Sequence, residues 1–375
     1  MGRPPACDMD LLGAAWMHRS LNEAVSALHI SSDGNLYAGG WDGGVTAWSQ
    51  DGEKLWSVTT EDRVGSIIDQ QGTLFLAAGL HVVALDRTTG DLLWSHALEG
   101  STDQVYWFDE HLFVTSSVYN IEHHDFIESA IWVFTHQGEQ VSVQRIDERP
   151  WSVAEFESEL FIALGRPRCG LLQFKSFDAE PVWYAGASES PLTCGIGGKT
   201  RGLFGHADGT VSQHDGTLMS SEEECVDSLV CIPQGFVAAL DNGVLMARDS
   251  DSNPLWSSRG SPIVCQTDSE LSSGAIHWTT RWSGLQGSLE IRNAESGKIW
   301  AEGQIGQTRC MTRSPDAQWV AIGCENGEVH VFQSELLERR HSQASTDSSE
   351  AEEIDLEQQA KRSALQAKLR ALRDR

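Results

Sequence analysis

Long hydrophobic runs are absent from this sequence of 375 residues. No window approaches the run of apolar residues that a membrane-spanning helix needs. Near the amino terminus, Asp8 and Asp10 interrupt the few apolar positions, so we expect no secretory signal there. Gly2 suits myristoylation, but Ala6 stands where that motif has Ser or Thr. These absences predict a soluble, cytoplasmic protein without membrane contact.

Motifs of catalysis and metal binding are absent as well. The sequence has no Gly-x-Ser-x-Gly, no His-Glu-x-x-His and no Gly-x-x-x-x-Gly-Lys. None of its eight cysteines forms a Cys-x-x-Cys pair, and Cys225 with Cys231 has no His pair at zinc spacing. Cys265, Cys310 and Cys324 lie in or beside apolar segments, which is typical of reduced, buried thiols. The sequence therefore predicts no catalytic residue, no metal site and no cofactor.

Positive charge is scarce. The chain has 27 Lys and Arg against 54 Asp and Glu, a formal net charge of −27. Residues 335–375 contain nine acidic and eight basic residues, which leaves residues 1–334 with 45 acidic and 19 basic residues and a net charge of −26. Such a surface repels phosphate groups, because nucleic acids and anionic membranes are bound mainly through Lys and Arg. Nucleic acid is therefore not a predicted partner.

What the sequence does contain is a motif that returns about every forty residues. Its clearest copy is Leu-Phe-Leu-Ala-Ala-Gly at 74–79, followed by His-Val-Val-Ala-Leu-Asp-Arg-Thr-Thr-Gly-Asp-Leu-Leu-Trp at 81–94. Self-similarity at this period is the signature of a β-propeller, in which four-stranded blades stack on one another. Eight turn anchors between Asp33 and Asp316 predict an all-β fold with a single eight-bladed propeller, and seven blades are the alternative. Further copies end at Trp56, Trp183, Trp256 and Trp300.

The two ends of the repeat region complement each other. The last copy, at 314–333, supplies two strands and then breaks off, whereas residues 11–17 end like an outermost strand. We therefore predict a propeller over residues 11–334, closed by an amino-terminal strand that pairs with the last blade. Residues 1–10 are predicted to be disordered.

The carboxy-terminal segment has a different composition. Residues 335–353 are predicted to form an acidic flexible linker, because they are mostly polar, small and acidic. Residues 354–375 consist of strong helix formers and predict an amphipathic helix. An isolated helix of this length is marginal in water, so we expect it to bind the acidic propeller surface, a second copy or another protein. Its predicted partner-binding residues are the apolar stripe and one flanking cation: Leu365, Leu369, Leu372 and Arg370.

One insertion is longer than the usual hairpin loops of such sheets. It lies between Ser116 and Ala130 and carries His123, His124 and Asp125, a combination that could hold a metal. Neighbouring residues of an extended segment point to opposite sides, so these three chelate together only if the chain turns. The insertion is a speculative binding loop, with a plain surface loop as the alternative.

The repeat resembles that of the quinoprotein-like propellers, whose usual form is an Ala-Leu-Asp strand, a Thr-Gly turn and a terminal Trp. The segment at 82–94 carries this resemblance, with variants at 46–56 and 289–300. The final copy is instead similar to the WD-repeat style, in its Ser-Pro-Asp opening and its Asn-Gly-Glu-Val-His-Val-Phe strand. Together these resemblances cover about residues 11–333.

The resemblance implies a fold more than an activity. Quinoprotein dehydrogenases of that superfamily bind pyrroloquinoline quinone and calcium, commonly with adjacent cysteines beside the cofactor, and no two cysteines are adjacent here. A non-enzymatic branch includes outer-membrane-protein assembly lipoproteins, which need an export signal ending in a lipidated Cys. Cys7 follows Pro4-Pro5-Ala6 without an apolar stretch.

Two function classes remain. We predict a non-catalytic scaffold for protein–protein interaction, a monomeric propeller that binds protein partners of unknown identity, because propellers without catalytic constellations usually serve this role. The alternative is an enzyme of the quinoprotein-like class that uses the central channel. Channel residues would come from different blades and leave no local motif.

Overall fold

The fold is taken from a computed structural model that describes residues 9–122, 124–197 and 202–344. In these ranges the chain forms eight antiparallel sheets of four strands each, arranged as the blades of one ring. The innermost strands of neighbouring blades contact each other around the centre. The predicted all-β, eight-bladed propeller is confirmed, and the seven-bladed alternative is wrong.

The strands follow the chain blade by blade, except that the first strand, β1 (Met17–Ser20), belongs to blade 8. In blades 1 to 4 the strands, from the innermost outwards, are β2 (Val25–Ile30), β3 (Leu36–Gly40), β4 (Gly44–Trp48) and β5 (Lys54–Thr59); β6 (Val64–Gln70), β7 (Thr73–Ala78), β8 (His81–Asp86) and β9 (Leu92–Ala97); β10 (Ser101–Phe108), β11 (His111–Asn120), β12 (Asp125–Phe134) and β13 (Gln140–Ile146); and β14 (Pro150–Phe156), β15 (Glu159–Leu164), β16 (Gly170–Phe174) and β17 (Val182–Tyr184).

In blades 5 to 8 they are β18 (Leu192–Gly197), β19 (Gly202–His206), β20 (Thr210–Gln213) and β21 (Leu218–Ser221); β22 (Val226–Ile232), β23 (Gly235–Leu240), β24 (Val244–Asp249) and β25 (Pro254–Arg259); β26 (Ile263–Leu271), β27 (Gly274–Trp282), β28 (Gly287–Asn293) and β29 (Ile299–Ile305); and β30 (Thr308–Arg313), β31 (Trp319–Cys324) and β32 (Glu328–Gln333), with β1 outermost. A helix, α1, follows at residues 334–344.

The position of a strand within its blade decides its sequence pattern. The second strands, such as β7, are buried along their whole length, because the neighbouring blades cover both of their faces. They therefore read as continuous short apolar runs rather than as alternating ones. The outermost strands, such as β9, are mostly exposed. Apolar side chains between the blades form the core of the molecule.

The recurring tryptophan of the repeat makes a contact between neighbouring blades. In three blades its indole N–H donates to a backbone carbonyl in the turn between the third and fourth strands of the following blade. The bonds run from Trp56 to Arg87 O at 2.9 Å, from Trp94 to His136 O at 3.1 Å and from Trp256 to Ala294 O at 2.9 Å.

A glycine in that same turn completes the contact. Gly90, Gly138 and Gly297 have φ of 78°, 86° and 66°, the left-handed region that favours glycine. A Cβ at any of them would lie 2.5 to 2.7 Å from the tryptophan ring of the preceding blade. The terminal Trp and the Thr-Gly turn of the repeat are therefore two halves of one contact between blades, which we call the Trp–Gly lock.

The amino-terminal strand closes the ring as predicted, with different bounds. β1 pairs antiparallel with β32 over Met17–Ser20, whereas residues 11–14 form a turn. Trp16 precedes β1 and donates to Gln50 O in blade 1 at 3.0 Å, so it takes the place of the recurring tryptophan in blade 8. The disorder predicted for residues 1–10 does not include Met9, which is buried in the core between blades 7 and 8.

The chain ends also contact each other through α1, where a flexible linker from residue 335 was predicted. Leu336 and Leu337 are buried, and the Arg340 guanidinium donates to Gly13 O at 2.7 Å and Ala15 O at 3.1 Å. The rest of the predicted linker and the predicted helix at 354–375 lie outside the described residues. No helix that the structure describes is long and apolar enough to span a membrane.

Candidate interaction face

The ring has two faces, which differ in the connections that form them. On the upper face the innermost strands begin. It is formed by the connections between blades, at residues 21–24, 60–63, 98–100, 147–149, 185–191, 222–225, 260–262 and 306–307, and by the turns between second and third strands, at residues 41–43, 79–80, 121–124, 165–169, 207–209, 241–243, 283–286 and 325–327. The remaining turns form the lower face.

A β-bulge stands at the same place in all eight innermost strands, close to the upper face. A bulge bends its strand and redirects a side chain. The Ser26 hydroxyl, for example, donates to Val64 O of the next blade at 2.6 Å. Because each blade contributes a different residue, this ring of side chains leaves no sequence motif. The bulged residues are Ser26, Gly65, Asp103, Trp151, Thr193, Asp227, Val264 and Arg309.

Exposed large hydrophobic side chains distinguish the upper face. Those in its turns and at the starts of its innermost strands, which we call the apolar arc, are Trp41, Leu80, Tyr119, Ile121 and Trp151 on blades 1 to 4, with Val264 and Leu285 on blade 7. Among the described residues, the other exposed large hydrophobics lie on outermost strands and on the hairpin that carries Tyr119, apart from Trp16. The turns of the lower face contribute none within the described ranges.

Two arginines stack on Trp41. The Arg63 guanidinium carbon lies 4.3 Å from the centroid of its ring, and that of Arg309 lies 5.4 Å away. Arg309 also pairs with Glu325. Stacked guanidinium groups hold an aromatic ring in a fixed orientation. Trp41 remains 45% exposed, so it is a large, oriented and accessible apolar group.

A second stack lies on blades 3 and 4. The guanidinium carbon of Arg149 is 3.6 Å from the ring centroid of Phe126 and 4.1 Å from that of Trp151. Asp103 approaches Arg149 to 3.7 Å. Burial lowers the pKa of the Arg149 guanidinium, while the charge of Asp103 raises it. Trp151 is 42% exposed.

The insertion singled out in the sequence is the tip of the long hairpin β11–β12, which belongs to the upper face. Tyr119 and Phe126 meet edge to face near the tip, with ring centroids 5.1 Å apart. His124 and Asp125 are exposed at the turn, and His123 lies outside the described residues. In the described ranges no three His, Cys, Asp or Glu side chains are placed to hold a metal ion. The described exposed side chains of this hairpin are apolar at Tyr119, Ile121 and Ile127 and polar or charged at Glu122, His124, Asp125 and Glu128. The hairpin therefore adds apolar groups to the upper face, and the metal-binding role of its loop stays a prediction.

The other predicted site residues cannot be placed. Leu365, Leu369, Leu372 and Arg370 all lie outside the described residues, so their binding role stays a prediction.

A shallow cleft of about 310 Å³ opens on the lower face at blades 2 to 4. Within it, the Glu155 carboxylate accepts a hydrogen bond from Tyr106 at 3.3 Å, and burial raises the pKa of that phenol. Its described lining contains neither His nor Cys, so it offers no nucleophile paired with an imidazole base. The lining residues are Gln70, Trp107, Phe108, Asp109, Glu110, Glu155, Ser158 and Lys175.

Comparison with known proteins agrees with this architecture. Residues 13–123 match the family model described as outer membrane protein assembly factor BamB, a match that covers β1, blades 1 and 2 and the first two strands of blade 3. No curated protein matches the chain. The chain is a β-propeller, and this match agrees with the resemblance of its repeat to the quinoprotein-like propellers.

Solved structures show the same fold at low identity. The chain is similar to the computationally designed Ika8 protein, with 16% identity over 84% of this chain and 98% of that one and a TM-score of 0.67. It is similar to Sqt1 from Saccharomyces cerevisiae, with 12% identity over 85% and 98% and a TM-score of 0.69. BamB from Moraxella catarrhalis gives 16% identity over 84% and 96% and a TM-score of 0.67.

Proposed function

We propose that this protein is a non-catalytic, monomeric scaffold of the cytoplasm that binds a protein partner through the upper face of its propeller. The observation that carries the proposal is the apolar arc, with Trp41 held by two stacked arginines and Trp151 by one. Trp and Arg supply much of the binding energy at protein interfaces. Exposed apolar patches of this kind commonly mark interaction sites on soluble proteins.

The family match supports the same class of function. The family model that matches residues 13–123 is described as an assembly factor, a kind of protein that acts on other proteins. The enzyme alternative has less support, because the lower cleft offers no activated nucleophile and no described residue group is placed to hold a metal.

The thiols support a reducing compartment. Cys169, Cys194, Cys225, Cys265, Cys310 and Cys324 form no disulfide. Burial raises the pKa of the Cys265 and Cys194 thiols to about 12, which keeps them protonated and poorly reactive. Unpaired, buried thiols are usual in proteins of the cytoplasm.

The test compares partner capture by two variants of the full chain. Trp41→Ala with Trp151→Ala removes both stacked anchors of the upper face. The matched control, Leu93→Ala with Leu255→Ala, removes two exposed apolar side chains of outermost strands. We expect the upper-face variant to lower the amount of the main captured protein at least about tenfold, and the control to leave it within about twofold.

Melting curves of both variants exclude unfolding as the cause. Equal loss in the two variants, or full capture by the upper-face variant, would contradict the proposal. Stoichiometric quinone and calcium in the purified protein would instead favour the enzyme.

A further inference from the structure

The upper face carries a second feature, located where the apolar arc is interrupted. On blades 5 and 6, between Trp151 of blade 4 and Val264 of blade 7, its connections expose carboxylates. We call this set the acidic arc: Glu189, Asp208, Glu223, Glu224, Asp227 and Asp241.

The carboxylates of the acidic arc lie close enough to influence one another. Burial and the charge of Asp241 raise the pKa of Asp227. Burial, together with the carboxylates of Asp227, Asp241 and Asp208, raises the pKa of the Cys225 thiol to about 11. The negative charge is therefore concentrated over two blades rather than scattered.

No lysine or arginine stands in the connections of this arc, at residues 185–191, 207–209, 222–225, 241–243 and 260–262. Of the cations near them, Arg248 pairs with the buried Glu222, and Arg281 is buried and donates to Gly243 O and Ser261 O. Arg259 is exposed at the end of β25, next to residues 260–262. One exposed cation therefore stands beside six carboxylates, so the acidic arc keeps a net negative charge.

We infer that the partner binds with a basic, amphipathic segment, whose aliphatic side chains cover the apolar arc and whose Lys or Arg side chains meet the acidic arc. This inference rests on the proposed function and specifies its partner. Opposite charges at an interface speed encounter and fix orientation, while apolar contacts supply most of the affinity. A second copy of the chain suits the acidic arc poorly, because its propeller carries a net charge of −26.

The probe is a fluorescein-labelled synthetic peptide of lysine, leucine and alanine that forms an amphipathic helix, titrated with the full chain. One matched peptide has glutamine in place of lysine, and another has serine in place of leucine. The acidic-arc variant is Glu223→Gln, Glu224→Gln, Asp241→Asn. The control variant makes the same three changes in charge in exposed turns of the lower face: Asp51→Asn, Glu53→Gln, Asp251→Asn.

We expect the acidic-arc variant to weaken binding of the lysine–leucine peptide about tenfold and to flatten its dependence on salt. The control variant should change binding less than about twofold, and both matched peptides should bind more weakly than the probe.

Three results would overturn the inference. Equal weakening by the control variant would mean general attraction to an acidic protein. Stronger binding of the glutamine peptide would mean that the face prefers a neutral segment, and the proposed function would survive if Trp41→Ala with Trp151→Ala still abolished partner capture. Binding that appears only after residues 345–375 are removed would make the chain's own tail the occupant, since residues 360–375 hold six basic residues and one acidic residue.

Discussion

Blades 1 and 2 hold their neighbours differently from blades 3 to 5. In blades 1 and 2 a tryptophan of the outermost strand makes the Trp–Gly lock with the next blade. Among the described residues of blades 3 to 5, no tryptophan makes this bond. There the hydrogen bonds and ion pairs between blades come from other residues, such as Gln104 to Trp151 O at 3.1 Å and the Arg248–Glu222 ion pair, beside the apolar cores that the blades share.

This difference explains where the repeat can be recognised in the sequence. A lock needs Trp and Gly at fixed places, so it repeats as a motif, whereas polar contacts use different residues at each joint. The family match ends at residue 123, within blade 3, which the Trp94 lock attaches to blade 2. The acidic arc lies on blades 5 and 6, which an ion pair rather than a lock joins.

The largest expected effect comes from removing the amino-terminal strand that closes the ring. Deletion of residues 1–20 removes β1, the Trp16 bond to Gln50 O and the buried side chains of Met9 and Leu11. We expect the melting temperature to fall by about 5–10 °C, because several buried side chains are lost and β32 becomes an exposed edge. Differential scanning calorimetry measures the change.

Deletion of residues 1–8 is the matched control, since it leaves every described contact of Met9–Ser20 in place. If the two truncated proteins melt at the same temperature, β1 does not stabilise the ring.

A smaller effect is expected when the glycine of one Trp–Gly lock is substituted. Gly90 and Gly72 have similar φ, 78° and 83°, but a Cβ at Gly90 would lie 2.7 Å from Trp56, whereas one at Gly72 meets nothing within 4 Å. Both Gly90→Ala and Gly72→Ala therefore carry backbone strain, and only the first also displaces the indole. We expect Gly90→Ala to lower the free energy of unfolding by about 1–2 kcal/mol more than Gly72→Ala, measured by urea denaturation. Equal losses of unfolding free energy in the two variants would show that the contact between residue 90 and the Trp56 indole contributes nothing to stability.

The contacts between blades explain how much of the fold the sequence predicts. The blade count, the closure by the amino terminus and the all-β class were confirmed, because the lock residues and small-residue strands recur along the chain. The start of β1 and the helix α1 were not foreseen. Both depend on contacts between the two chain ends, such as Arg340 to Gly13 O, and no local pattern encodes them.

The candidate site was harder to predict for a related reason. Trp41 and Trp151 are of the same residue type as the tryptophans that join blades, and their exposure in the fold separates them from Trp56. The stacking arginines come from neighbouring blades, as Arg63 and Arg309 do on either side of Trp41. A signal was available only in part: Trp41 stands in a turn, outside the position at which the repeat places its tryptophan.

The closing strand also differs from the other joints in its response to acid. His18 and His330 face each other across the β1–β32 pair, with their Nδ1 atoms 2.8 Å apart. Burial, and then the charge of His18, lower the pKa of His330, while Glu328 opposes the shift. As the pH falls, His330 therefore takes up a proton at a higher pH in the unfolded chain than in the folded protein. The stability that His330 contributes is thus present above its unfolded pKa of about 6.5 and is lost below it.

The smallest expected effect tests this pair. Between pH 7.5 and pH 5.5 we expect His330→Gln to lose about 1 kcal/mol less unfolding free energy than the unaltered chain, because it removes one group that protonates on unfolding. Urea denaturation at the two pH values measures the difference. His18→Gln should reduce the acid-induced loss of unfolding free energy by a smaller amount, since His18 is only one cause of the lowered pKa of His330.

His277→Gln is a useful contrast, because burial lowers the pKa of His277 to about 3 in blade 7, away from β1. His277→Gln should make unfolding less sensitive to acid without protecting β1 from proteolysis at pH 5.5. His330→Gln should make unfolding less sensitive to acid and also protect β1. Protection of β1 by both variants would show that acid does not act on the His18–His330 pair.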